Sequence, residues 1–452
     1  MSPVSGILPG VYQALVPPAA TVTLRTGVPI FFGYGAAAAH SSSSLQWPVS
    51  RRWLKAAGGQ SASSSSSASS SVPSWSTFSA TFTFSDPAQL SATLQPYAPD
   101  PYLTTAVNGF FECGGLQCQV VLLDPGWAFP STGAAPDSTS WTTALAAVLP
   151  DVSGVDLVCA PSLMWNPNSG GPIDSSGDSV VATVVYIQAQ LLYQCNTRGD
   201  LFGVLDLPPP PLLSTQAEAL AFVAETRSTA WTLALDAMPV NPARAGAVYF
   251  PWIRLARDAR NYPPSGHIAG IYAYTDSASG VQKAPANEVL SGAVDAQYVL
   301  SDADQSQLDP SINCLRIFPN SGVTVWGART LADPDRAGNW IYVSVRRLFI
   351  TVGRWLVLST QWAVFEPNDL SLWLRLNRQI NTYCEQLFSN GLLKGASPAD
   401  AFYIKCDAEN NPVSMQNSGQ LNVEVGLVPA IPGELIVVQL TQSATGAIVT
   451  TS

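Results

Sequence analysis

The chain has 452 residues, of which 47% are apolar and 12% charged, with a formal net charge of -10. Its length allows two or three domains, each with its own core. The negative balance excludes sequence-independent binding to nucleic acid phosphates. So little charge leaves much of the surface to Ser, Thr, Asn and Gln, or to contact with neighbouring subunits, because interface cores are depleted in charge.

Residues 1–20 hold four Pro and no charged side chain, which predicts an extended arm rather than a helix. The opening MSPVSGILPGVYQ has no basic region and no long apolar run, so no secretion signal is expected there. Residues 21–35 are rich in β-branched and aromatic side chains and end in Gly, as a strand does. Residues 56–77 are Ser/Ala/Gly-rich and predict an exposed flexible loop. Residues 78–84 alternate as a strand. The continuous apolar runs 118–123, 155–159 and 201–206 predict strands of a sheet covered on both faces by helices. Pro208 to Pro211 is a rigid connector, and 215–235 an intervening helix.

A second unit is expected from 246 to 428, opened by the turn Pro263-Pro264-Ser265-Gly266. Within it, 340–345 predicts a strand and 346–361 a helix. Glu366-Pro367-Asn368-Asp369 starts another helix, with Pro early and acidic groups at its positive end. Trp373, Ile380, Cys384 and Leu387 recur there at helical spacing, and Gly391 follows as the residue past its end. Residues 401–406 and 420–428 predict strands. The last stretch, 429–452, has one charge, Glu434. The expected fold is therefore α/β (α+β): a domain over 21–245, a second over 246–428, and extended arms at 1–20 and 429–452.

The arms carry the physical argument. Bare β-prone chain ends invite edge-to-edge association unless charge blunts them, and here it does not. Two explanations stay open at this point: tails packed on their own domain or disordered, and strands added to the sheets of other copies. In the second, the inter-subunit residues would be Ile7, Leu8, Val11, Tyr12, Leu15 and Val16 at one end. At the other they would be Leu435, Ile436, Val437, Val438 and Leu440. Two such arms per copy would generate a lattice, because heterologous contacts that do not close build filaments.

No constellation points to an enzyme. His40 abuts the Ser run and His267 lies in PPSGHIAG, and neither has triad partners at a recognisable spacing. There is no GxSxG elbow and no P-loop. Cys113 and Cys118 lack a second pair or a nearby His, so no zinc is expected. Neither a catalytic residue, a cofactor nor a metal is assigned. Seven Cys at irregular spacings predict buried, reduced thiols and assembly in a cytoplasm. The most apolar stretch, Trp340 to Phe365, contains Arg346, Arg347 and Arg354, so no membrane insertion is expected.

Several motifs together carry a family resemblance. PPSGHIAG (263–270), YAYTD (272–276), APANEVLSG (284–292), VWGART (325–330), VRRLF (345–349), QWAVFEPND (361–369), GASPADAFYIKCD (395–407) and QLNVEVGLVP (420–429) resemble, in order and spacing, the C-terminal half of phage-type tail sheath proteins. Gly10-Val11-Tyr12, GVPIFFG (27–33) and GFFECGG (109–115) resemble the family's first part. The Ser-rich loop and residues 130–180 match nothing in it. The resemblance implies a structural subunit that stacks as six-membered rings around an inner tube, with baseplate and cap proteins as further partners. It implies a metastable extended state that contracts, by rotation and sliding of rigid subunits, into a shorter and wider tube. The composition contrast between the halves, with 7 basic and 14 acidic side chains in 1–245 against 14 and 17 in 246–452, places 246–428 toward the tube and 21–245 outward. Arg346, Arg347, Arg354, Arg375 and Arg378 are then candidates for a tube-facing basic surface. Solvated helix faces and internal ion pairs are the plainer alternative for them. A surface-layer or adhesin-type protein is the competing structural function.

Overall fold

A computed structural model describes residues 24–35 and 78–433, apart from 132, 213 and 320, together with the backbone of 438–443 and 446–451. The N-terminal arm, the Ser-rich loop, His40, Leu435, Ile436 and Val437 lie outside the described residues.

The main sheet has eight strands. In chain order they are β1 (Pro29–Tyr34), β2 (Phe78–Phe84), β3 (Cys118–Leu123), β4 (Leu157–Cys159), β5 (Phe202–Asp206), β6 (Gly246–Phe250), β7 (Ile312–Phe318) and β8 (Gly322–Trp326). In space they run β8-β7-β6-β5-β4-β1-β3-β2. The six from β7 to β3 are mutually parallel, and β8 and β2 close the two edges antiparallel. Ile30 pairs with Gln119 on one side and Val158 on the other, which places β1 in the interior of the sheet.

Central parallel strands are covered on both faces, and their sequences accordingly read as unbroken apolar runs. Neighbouring residues of β5 show the two layers, because adjacent side chains of a strand point to opposite faces. Phe202 meets Tyr272 of one helix, with ring centroids 6.2 Å apart. Gly203 lies under Leu192 of another. The helices are α1 (Pro101–Glu112), α2 (Asp178–Arg198), α3 (Gln216–Glu225), α4 (Ser265–Ser279), α5 (Val343–Ser359) and α6 (Leu370–Ser389). α1 and α4 pack side by side.

The expected division at 245/246 falls inside this sheet, because β6 pairs in parallel with β5 from Gly203↔Gly246 to Asp206↔Tyr249. The composition contrast between the halves does not mark a break in the core. A second core begins later, where Leu348, Val352, Ile380, Cys384, Leu387, Leu392, Leu393 and Phe402 pack together. Helix α5 joins the two, since its Val343 and Ile350 belong to the main core. Against this second core lies a two-stranded antiparallel sheet, β9 (Phe402–Lys405) with β10 (Glu424–Leu427). Beyond it, β11 (Val438–Ser443) and β12 (Gly446–Thr451) form a hairpin in which Val438 pairs with Thr451 and Leu440 with Val449.

Three local expectations change. The stretch 340–345 is a 3-10 turn running into α5 rather than a strand, because Val343, Val345 and Ile350 bury as a helix face. The helix after Glu225 passes through a π-helical turn, Thr226–Trp231, which seats Trp231 in the core. Asp369, not the region of Pro367, caps α6 by accepting the Leu372 amide at 3.0 Å. Gly391, at φ +75°, stands just past the end of α6 as expected.

Candidate assembly site at the arm roots

The described chain begins at Leu24, and its first turn is fastened by a buried carboxylate. Asp156, just before β4, accepts the Gly27 amide at 3.0 Å and the Val28 amide at 2.7 Å. Gly27 sits at φ +69°, and a Cβ there would stand 2.5 Å from the Ala273 Cα, so the position requires glycine twice over. The Thr26 hydroxyl donates to Asp276 of α4.

Both carboxylates meet Arg347 of α5. Its guanidinium donates to the two Asp276 oxygens at 2.7 and 2.5 Å and to Asp156 at 3.2 Å. It lies over the Tyr272 ring at 4.8 Å, and the Tyr272 hydroxyl meets that of Tyr249 at 2.7 Å. Arg354, two turns further along α5, approaches Asp156 at 3.8 Å. Two carboxylates thus face two guanidinium groups in the interior, which keeps the charges balanced. Burial works against the Arg347 charge, but Asp276 and Asp156 outweigh it and raise its pKa.

This corrects the expected basic surface. Arg347 and Arg354 turn inward, with side chains 3% and 9% exposed. Arg346 is buried too, over the Trp340 ring at 5.9 Å, and burial and the neighbouring Arg244 push its pKa down to about 10. None of the three can face another protein. Arg375 and Arg378 do lie on the surface of α6. Arg375 pairs with Glu366 at 2.6 Å and covers the Trp362 ring at 4.8 Å. Arg378 borders an open groove with Leu374, Asn381 and Tyr403.

The C-terminal root is held by backbone bonds. Lys394 donates to the Val428 carbonyl at 2.9 Å, and Ala430 to the Leu392 carbonyl at 3.1 Å. Val428 donates in turn to Ala401 at 2.8 Å. The adjoining β9–β10 pair has no third strand among the described residues. A two-stranded sheet is marginal alone, and this one leans on α6 through Phe402. Its free edges are templates for further pairing.

Of the two His, His267 lies among the described residues, buried in α4. Both nitrogens of the buried His267 ring lack a hydrogen-bond partner, and burial pushes its pKa down to about 4. Among the described residues no group of His, Cys, Asp and Glu could hold a metal ion. No described helix is long and apolar enough to cross a membrane. All seven Cys are free and buried. The sequence singled out the Arg side chains of α5 but not Asp156 or Asp276, because their partnership exists only once distant segments meet.

Comparison with known proteins agrees with this architecture. Residues 212–331 match the model of the phage tail sheath protein central domain, and residues 335–442 that of the phage tail sheath C-terminal domain. The two span just over half of the chain. A protein of Pseudomonas aeruginosa described as a prophage major tail sheath protein is 27% identical over 188 residues, 40% of this chain and 46% of its own length. The tail sheath protein of Vibrio phage KVP40 is 25% identical over 193 residues, 41% of this chain and 27% of its own. The chain thus spans less than half the length of these curated relatives. Among solved structures, the fold is similar to the PVC sheath complex of an extracellular contractile injection system in the contracted state. The TM-score is 0.64 at 24% identity, with 98% of this chain and 99% of that one covered. It is also similar to the contracted helical sheath of the anti-feeding prophage, with a TM-score of 0.63 at 23% identity over 97% of this chain and 100% of that one. The chain belongs to the phage tail sheath family.

Proposed function

We propose that this protein polymerises around an inner tube in a metastable extended sheath and contracts to drive the tube through a target envelope. It is a structural protein of a contractile, phage tail-like system and not an enzyme. The observation that carries the mechanical part is the β9–β10 sheet. It has no third strand among the described residues, and it lies beside the firmly bonded root of the C-terminal arm. The arms at 1–20 and 429–452 would add strands to such sheets on neighbouring copies. Main-chain pairing supplies an affinity that does not depend on the angle between the attached domains. Contraction is then a change of packing between rigid protomers joined by the arms. Baseplate, cap and inner tube proteins are the further partners, with cytoplasmic assembly before the particle acts outside.

Truncation tests this directly. Chains lacking 1–20 or 433–452 should stay folded, with circular dichroism close to that of the full chain. Electron microscopy should show no long tubes. Normal sheaths from either truncated chain would end the strand-exchange account.

A further inference from the structure

Helix α5 fastens both ends of the described fold. Toward the C-terminus, its Leu348 and Val352 pack with Leu392, Leu393 and Phe402. The backbone of Leu392 and Lys394 in turn holds Val428 and Ala430. Toward the N-terminus, its Arg347 holds Asp156 and Asp276, and these hold Thr26, Gly27 and Val28.

We propose that Arg347 is a positioning residue for assembly: through the two carboxylates it sets where the chain ahead of Leu24 leaves the protomer. Without Arg347, Asp156 and Asp276 would remain buried near one another with Arg354 alone to neutralise them, and an uncompensated buried charge is strongly unfavourable. The relief open to Asp156 is to turn toward water, and that releases the amides of Gly27 and Val28. The effect stays local. The Val28 carbonyl is held separately by the amides of Asp156 and Leu157, at 3.0 and 3.2 Å. Strand β1 keeps its ladders to β3 and β4. Residues 24–27 therefore detach, and the Val28 amide loses its acceptor, while the Val28 carbonyl and the sheet stay. In the intact chain, the take-off points of both arms are referred to one helix, so their separation is a property of the protomer. Only this consequence for the lattice rests on the function proposed above.

Hydrogen exchange on full-length Arg347→Gln and Arg347→Lys tests the assignment. The expected result is exchange at Gly27 and Val28 faster by about ten-fold or more, with Val120 to Leu123 of β3 unchanged. Sheaths should then be short or absent by electron microscopy. Unchanged protection of Gly27 and Val28 in a variant with an intact β3 overturns the proposal. So does parallel loss of protection at both places in both variants, which would make Arg347 an ordinary core residue. Deleting residues 1–20 separates the two ideas. If that chain still builds normal sheaths, the strand-exchange function fails while the exchange result at Gly27 and Val28 stands on its own.

Discussion

Gly266 of α4 lies against Ala106 of α1 so closely that a Cβ on the glycine would stand 2.2 Å from the Ala106 carbonyl oxygen. One turn on, a Cβ at Gly270 would stand 2.5 Å from the Phe110 carbonyl oxygen. The GHIAG of the family motif is therefore a device for bringing two helix backbones together. Gly266→Ala should cost about 1–3 kcal/mol, since backbone cannot step aside as a side chain can. Gly353→Ala, in α5 with nothing near its Cβ position, should instead gain about 0.5–1 kcal/mol from helix propensity. Urea denaturation of both variants checks the pair. Shifts of the same sign would mean that packing at Gly266 is not what the glycine serves.

Asp206 ends β5 and holds the start of α4. It accepts the Ser265 amide at 2.7 Å and the Ser265 hydroxyl at 2.6 Å. Burial nevertheless pushes its carboxyl up to about 7, against these bonds. The folded chain then binds more protons here than the unfolded one, so this group's contribution to stability is fully present below about pH 4 and lost as pH rises through about 7. Asp206→Asn keeps an acceptor and removes the ionisation. It should be more stable than the native chain at pH 8 by roughly 3–4 kcal/mol, an advantage that fades to near zero at pH 4. A stability difference that does not vary over that range would refute the assignment.

What was legible in the sequence was local. The runs at 118–123 and 201–206 are strands at those positions because a central parallel strand is apolar on both faces, a property a short window displays. Trp373, Ile380, Cys384 and Leu387 bury on one face of α6 for the same reason. The Arg347–Asp156 pair was not legible, since its members are 191 residues apart and charge alone does not say which Arg turns inward. The division at 245/246 failed similarly. A parallel neighbour is reached by a long crossover, so a change of composition at β6 says nothing about which sheet it joins.

Phe365 is fully exposed and has a left-handed backbone, φ +70°. Its loop is braced on both sides. Trp362 donates to Gln379 at 2.8 Å, Trp373 to Asn368 at 2.8 Å, and Asn368 to the Gln420 carbonyl at 2.8 Å. A bulky side chain at positive φ costs roughly 1 kcal/mol, and here no burial offsets it. Phe365→Asn, a residue that tolerates this conformation, should leave the isolated protomer as stable or more stable by up to about 1 kcal/mol. Thermal denaturation at low protein concentration reads this. Clear destabilisation would show that the ring contributes within the protomer after all.

Arg378 is the remaining test of a tube-facing basic surface, because Arg346, Arg347 and Arg354 are spent inside the protomer and Arg375 already pairs with Glu366. It is exposed in mid-helix on α6, beside Leu374 and Tyr403. Charge reversal there removes no internal contact of the kind Arg347 makes, so Arg378→Glu should change folding stability by less than about 0.5 kcal/mol. A single exposed pair contributes only about 0–1 kcal/mol, but a sheath repeats it at every subunit, and small terms of one sign accumulate along the tube. Sheaths assembled from Arg378→Glu chains with the inner tube protein should form normally and lose their tubes more readily as salt is raised. Electron microscopy counts the filled and empty sheaths. If the variant and the native chain retain tubes equally at every salt concentration, α6 does not carry the attachment.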